Sequence, residues 1–154
     1  MSKKVDSSII ATNSKAFHNY FLSDFLEVGI SLLGTEIKSI KKHSVSLSDS
    51  YVAIIKNEAY IYNMHIAKYE QGNIFNHEPL RPRKLLMHSY EIIRYQSKIQ
   101  EKGFTLIATK IYLKKGKAKL QIALGKGKKL FDKRETMKKR DIDRDIAKAT
   151  KRNQ

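Results

Sequence analysis

Thr105-Leu-Ile-Ala-Thr-Lys-Ile-Tyr-Leu113, Lys114-Lys115-Gly116-Lys117 and Ala118-Lys-Leu-Gln-Ile-Ala-Leu124 form the stretch that decides the fold. Two β-prone runs flank a short lysine-glycine connection, which is the pattern of a β-hairpin. Just before it, Lys84 to Glu101 carries Leu85, Leu86, Tyr90, Ile92, Ile93 and Ile99 roughly on one side of a helix. Gly103 stands where a C-terminal cap belongs. Arg83 to His88, where that span begins, also read as a strand.

Further back, Tyr51–Ile55 and Ala59–Ile66 form a second hairpin around Lys56-Asn57-Glu58. Residues 43–50, rich in serine, read as a loop or short helical turn, and residues 70–82 as a loop. Val28, Ile30 and Leu32 alternate with polar or small residues, and Thr35 to Ile40 alternates again, so both predict strand. Gly29 and Gly34 inside this stretch predict bulges where a sheet bends. Residues 1–12 read as a flexible lead-in. The expectation is a mainly β fold: an OB-fold-type closed β-barrel with one inserted main helix and a disordered basic C-terminal tail. A half-open α+β sheet is the competing architecture. The barrel would span residues 1–129 and the tail 130–154, which is disordered when free.

The charge is unevenly spread. Residues 110–154 hold 17 Lys+Arg against 5 Asp+Glu, whereas the first 109 hold 14 against 10, giving net charges of +12 and +4. A nearly balanced core with a cationic extension is the electrostatic shape of a polyanion binder, with RNA and DNA leading because their phosphates release counterions. The density of Lys114, Lys115, Lys117, Lys119, Lys126, Lys128 and Lys129 reads as a phosphate footprint. Tyr20, Tyr69 and Tyr112 are candidate stacking surfaces, while Phe21 and Tyr60 read as core.

Other classes find little support. No cysteine is present, which excludes disulfides and thiolate metal sites and fits a reducing cytoplasm. No apolar run approaches the roughly 20 residues of a spanning helix, and no signal peptide is expected. After Phe131 only Met137, Ile142 and Ile146 are sizeable apolar residues, too few to anchor a membrane-surface helix. The histidines His18, His43, His65, His77 and His88 make no HxxxH or HExxH pair. There is neither a P-loop nor a Gly-x-Ser-x-Gly elbow. Neither catalysis, nor a metal, nor a cofactor is expected. Glu36 is the odd residue. It reads as a surface ion-pair partner of Lys38 or Arg83, as an acceptor for a base edge or 2′-hydroxyl, or as the orienter of an RNA-contacting arginine.

These segments resemble the SsrA-binding protein (small protein B) family of bacterial trans-translation over nearly the whole length. The resemblance is carried by Asn13-Ser14-Lys15-Ala16 with Tyr20, Gly29-Ile30, Gly34-Thr35-Glu36-Ile37-Lys38-Ser39, Leu47-Ser48-Asp49-Ser50-Tyr51 and His65-Ile66-Ala67-Lys68-Tyr69. It continues through Arg81-Pro82-Arg83-Lys84-Leu85-Leu86, Glu91-Ile92, Glu101-Lys102-Gly103, Gly127-Lys128-Lys129 and Asp132-Lys133-Arg134. The resemblance implies an OB-fold barrel gripping the tRNA-like domain of transfer-messenger RNA, and a tail that turns helical in the decoding region of a stalled ribosome.

Carried over by motif, the RNA-binding residues would be Asn13, Lys15, Tyr20, Glu36, Lys38, Arg81, Arg83, Lys84, Lys119, Lys126, Lys128 and Lys129. Asp132, Lys133, Arg134, Lys138, Lys139 and Arg140 would engage the ribosome. The implied partners are transfer-messenger RNA, the ribosome and, indirectly through the charged RNA, elongation factor Tu; a cytoplasmic monomer is expected. Departures from the family pattern are Lys41, His43, Ala108 and Lys126, where the family usually has arginine, glycine, proline and arginine. The alternative reading is a general structured-RNA or ribosomal-RNA binder with no adaptor role.

Overall fold

A strand near the N-terminus, β1 (Ser7–Thr12), leads into a short helix, α1 (Ser14–Asn19), and then a long strand, β2 (Tyr20–Ile30). A computed structural model describes residues 7–129 together with Arg134, Arg140 and Arg144. After β2 come α2 (Gly34–Lys41), β3 (Val45–Ser46), β4 (Tyr51–Ile55), β5 (Glu58–Tyr62) and β6 (His65–Ile66). A 3-10 turn (Glu70–Phe75), β7 (Arg83–Leu86), α3 (Ser89–Lys102), β8 (Thr105–Lys114) and β9 (Lys117–Gly127) complete the order. The fold is mainly β, with one main helix.

The two hairpins form because their turn residues accept left-handed backbone. Lys56 and Asn57 have φ of 52° and 62°, and Lys115 and Gly116 have 52° and 76°, the two-residue turn whose twist matches the strands. In register, Ile55 faces Glu58 and Lys114 faces Lys117. The pairings run β8–β4–β5–β7–β2–β9 and return to β8, with β1 added beside β8. Strands β3 and β6 pair separately. Val28, Ile30, Ile61, Leu85, Leu106, Ile111, Leu120 and Ile122 fill the interior. At roughly 1.5–3 kcal/mol for each fully buried side chain of this size, they dominate the favourable side of folding.

Helix α3 ends at Gly103, whose φ is 67° and whose N–H bonds to Ile99 O at 3.1 Å. It turns Ile92, Tyr95 and Ile99 towards the core and leaves Tyr90 and Ile93 exposed. Leu85 and Leu86 belong to β7 instead, so the strand reading of Arg83 onward holds.

Three sequence expectations need correction. Thr35–Ile40 is helix, not strand: Glu36, Ser39 and Ile40, at i, i+3 and i+4, are its buried face. The period-two alternation of Thr35, Ile37 and Ser39 concealed that spacing. Glycine does not mark the bulges, since Gly29 pairs regularly with Lys119 and Leu86 and Gly34 opens α2. The bulge in β2 lies between Ser23 and Leu26. There Asp24 takes a φ of 57°, which its short polar side chain tolerates. Finally, Ser7–Thr12 is not a flexible lead-in. It pairs antiparallel with β8 from Ser7↔Lys114 to Thr12↔Lys110. The free edge of β8 supplies partners for its backbone groups, and Ile10 is buried. Residues 1–6 lie outside the described residues.

Candidate nucleic-acid interface

The candidate residues fall into two groups at opposite ends of β2 and β9. Lys119 faces Gly29, and Lys126 faces Phe21. Seven residues of extended chain set the two lysines about 23 Å apart at roughly 3.3 Å per residue.

The first group surrounds Glu36. Helix α2 points this carboxylate inward, where Oε1 accepts from Leu33 N at 2.7 Å and from Arg81 NH2 at 2.5 Å. Arg83 donates from Nε to Oε2 at 2.5 Å, from NH1 to Met64 O at 2.6 Å and from NH2 to Pro79 O at 3.1 Å. The side chains of Glu36 and Arg83 are 0% exposed, while that of Arg81 is 34% exposed. Burial opposes ionisation of Glu36, but the bonds from Arg81, the Leu33 amide and Arg83 prevail and hold its carboxyl below the ordinary range. Glu36 and Arg83 therefore lie beneath the surface, where neither can touch RNA in this conformation. The ion-pair reading with Arg83 applies, though the pair is buried rather than on the surface. Arg81 is the exposed end of the cluster.

Around it, Lys38 and Lys42 approach the face of Tyr69, at 5.4 and 5.0 Å from the ring centroid. Thr35 Oγ1 is 2.9 Å from His77 Nδ1, and Ile66 O lies 2.8 Å from His77 Nε2. Because the Ile66 carbonyl can only accept, Nε2 carries hydrogen. Lys84 is exposed and pairs with Glu58 at 3.2 Å. On the outer side of β9, Lys119 adds to the positive surroundings of Glu27. The Tyr112 hydroxyl donates to Glu27, which, against burial, lowers that carboxyl, while burial first and Glu27 second push the phenol up.

The second group gathers around α1. Asn13 caps this helix through Oδ1, which accepts from Ala16 N at 3.2 Å, while Nδ2 donates to Ala108 O at 2.9 Å. Asn13 is buried, so it holds the fold here rather than meeting solvent. Lys15 is exposed and lies 3.5 Å from Asp49. Tyr20 is half-buried. Lys126 and Lys129 are exposed, and Lys128 Nζ lies 5.0 Å from the Phe21 ring centroid.

Two aromatic expectations are reversed. Tyr112 is buried, and Phe21 is 52% exposed. Tyr112 stands between Ile111 and Leu113 in sequence, register pairs it with Ile9 and Lys119, and its hydroxyl reaches Glu27. Sequence reading also missed Lys42 and the stacked pair Tyr51–Tyr62, with centroids 5.3 Å apart; counting outward from the Lys56-Asn57 turn finds that pair. In the tail, Arg134 and Arg140 are helical and exposed. Asp132, Lys133, Lys138 and Lys139, and with them the expected order or disorder of the tail, lie outside the described residues. Among the described residues no three His, Cys, Asp or Glu side chains gather as a metal cluster, and no helix is long and apolar enough to cross a membrane.

Fold and site together define a small, strongly basic, mainly β protein with cationic groups at both ends of its longest strands. The family described as SmpB protein matches residues 10–152, and the chain belongs to that family. An SsrA-binding protein of Caldanaerobacter subterraneus subsp. tengcongensis is 52% identical over 155 aligned residues, covering 100% of this chain and 98% of the relative. One from Carboxydothermus hydrogenoformans is 55% identical over 141 residues, covering 92% and 95%. A solved structure described as "tmRNA-SmpB: a journey to the center of the bacterial ribosome" is 40% identical. Its TM-score is 0.65, over 78% of this chain and 85% of that one.

Proposed function

We propose that this chain is a non-enzymatic adaptor of trans-translation in the cytoplasm. It binds the tRNA-like domain of transfer-messenger RNA and delivers it to stalled ribosomes. The observation that carries this reading is 52% identity to an SsrA-binding protein across the whole chain. In the proposed division of labour, residues up to 129 are the RNA-binding unit, and their ring of strand pairings is a closed barrel of OB-fold type. Residues 130–154 are the second unit. They are disordered when free and helical in the decoding region, where Asp132, Lys133, Arg134, Lys138, Lys139 and Arg140 act. Elongation factor Tu joins indirectly through the charged RNA, and the protein works as a monomer.

On the RNA-binding unit, Arg81, Lys38, Lys84, Lys119, Lys126, Lys128, Lys129 and Lys15 are the proposed phosphate contacts, with Tyr20 beside them. Glu36 and Arg83 act through Arg81. Pinning one guanidinium nitrogen of Arg81 on a buried carboxylate fixes the fork that a phosphate meets. Contacts at two ends of the ring suit recognition of a folded RNA by shape. A competition binding assay tests this reading. Unlabelled transfer-messenger RNA should displace the labelled RNA far better than ordinary tRNA or bulk RNA, with steep salt dependence. Equal displacement by all three would favour a general RNA binder.

A further inference from the structure

Between α1 and the turn that precedes β4 lies an open cleft of about 380 Å³. That volume falls within the roughly 300–1,000 Å³ of small-molecule sites. Tyr20 and Tyr51 both line it, and Ala16 and Ile107 contribute apolar floor. Gly125 lies behind two of these residues: a Cβ on it would sit 2.4 Å from Ile107 Cδ1, the movable end of that side chain, and 3.2 Å from Tyr20 Cδ1. A bare strand thus lets both side chains lie close against β9. At the rim, Lys15 lies 3.5 Å from Asp49, with both side chains mostly exposed.

Tyr51 is 45% exposed, and Tyr62 stacks on it at an interplanar angle of 15°. A ring that forms part of a cleft wall and is itself backed by a second parallel ring is a stacking platform.

We infer that this cleft receives one unpaired nucleobase of the bound RNA, stacked on the Tyr51–Tyr62 pair, with Lys15 at the rim near its phosphate. The inference rests on the RNA-binding reading above and adds a component that senses single-strandedness. RNA rather than a protein segment is the favoured occupant. The chain carries a net charge of +16, the rim offers an ammonium, and unstacked bases are the RNA feature that aromatic rings capture.

The test uses the full-length protein and two probes: a single-stranded RNA octamer carrying 2-aminopurine, and a blunt RNA duplex of matched length. Binding to wild type should quench the 2-aminopurine fluorescence. Tyr51→Ala should weaken octamer binding about tenfold, leave duplex affinity within about twofold, and keep the salt slope unchanged because no phosphate contact is removed. Tyr51→Phe should restore the octamer affinity. Equal losses on octamer and duplex, no loss on either, or unchanged octamer binding with lost ribosome binding would each overturn the inference, the last indicating a protein occupant. If wild-type protein bound neither probe, the RNA-binding reading itself would fail.

Discussion

At the scale of single residues, Glu36 shows how a buried charge is held by its neighbours. Two arginines and one backbone amide surround a carboxylate with no exposure. Glu36→Gln leaves two guanidinium groups short of a counter-charge, one of them fully buried, and should destabilise the fold by about 3–5 kcal/mol in urea denaturation. Arg81→Ala leaves the buried Glu36–Arg83 pair intact. It should cost about 1.5–3 kcal/mol of stability, less than Glu36→Gln, while reducing RNA affinity about tenfold in gel shifts. Acid sensitivity follows from the same group. Glu36 titrates below its ordinary value of 4.5 in the folded protein. Its stabilising contribution is therefore complete above that unfolded value and lost as pH falls through the lower folded one. Asp24, lowered chiefly by Lys98, and Glu27, lowered chiefly by the Tyr112 hydroxyl, act in the same direction. Melting temperatures should therefore drop from about pH 5 downward, less steeply in Glu36→Gln.

At the scale of elements, the turns were the legible part. Asn57 and Gly116 announce their hairpins because Asn and Gly accept the left-handed backbone of a two-residue turn most readily, and Lys56 and Lys115 take it beside them. Gly103 announces the end of α3 for the same reason. Gly116→Ala places a side chain at a φ of 76° and should destabilise the β8–β9 hairpin by about 1–2 kcal/mol in chemical denaturation. What was illegible depended on partners far along the chain. Ser7–Thr12 looks polar and short, and only the β8 edge makes it a strand. Helix α2 hid because six residues satisfy both a period of two and an i, i+3, i+4 face, and burial of Glu36 decides between them. Asn13 was legible as important but not in its role, because its bond to Ala108 spans 95 positions.

At the scale of the molecule, the candidate lysines are distributed rather than clustered, since strand register separates Lys119 from Lys126. Sequence proximity suggested one basic patch, whereas a strand of 11 residues carries its ends far apart. Two separated groups of cations suit a large folded RNA, and the proposed division of labour gives the tail a separate engagement on the ribosome. Deleting residues 130–154 should leave binding to transfer-messenger RNA within a few-fold of wild type and abolish tagging in a stalled-ribosome assay. The most direct test of the central claim is to isolate and sequence the RNA that co-purifies with the full-length chain from bacterial lysate. A single dominant transfer-messenger RNA is the predicted result, and a mixture reflecting cellular RNA abundance would contradict it.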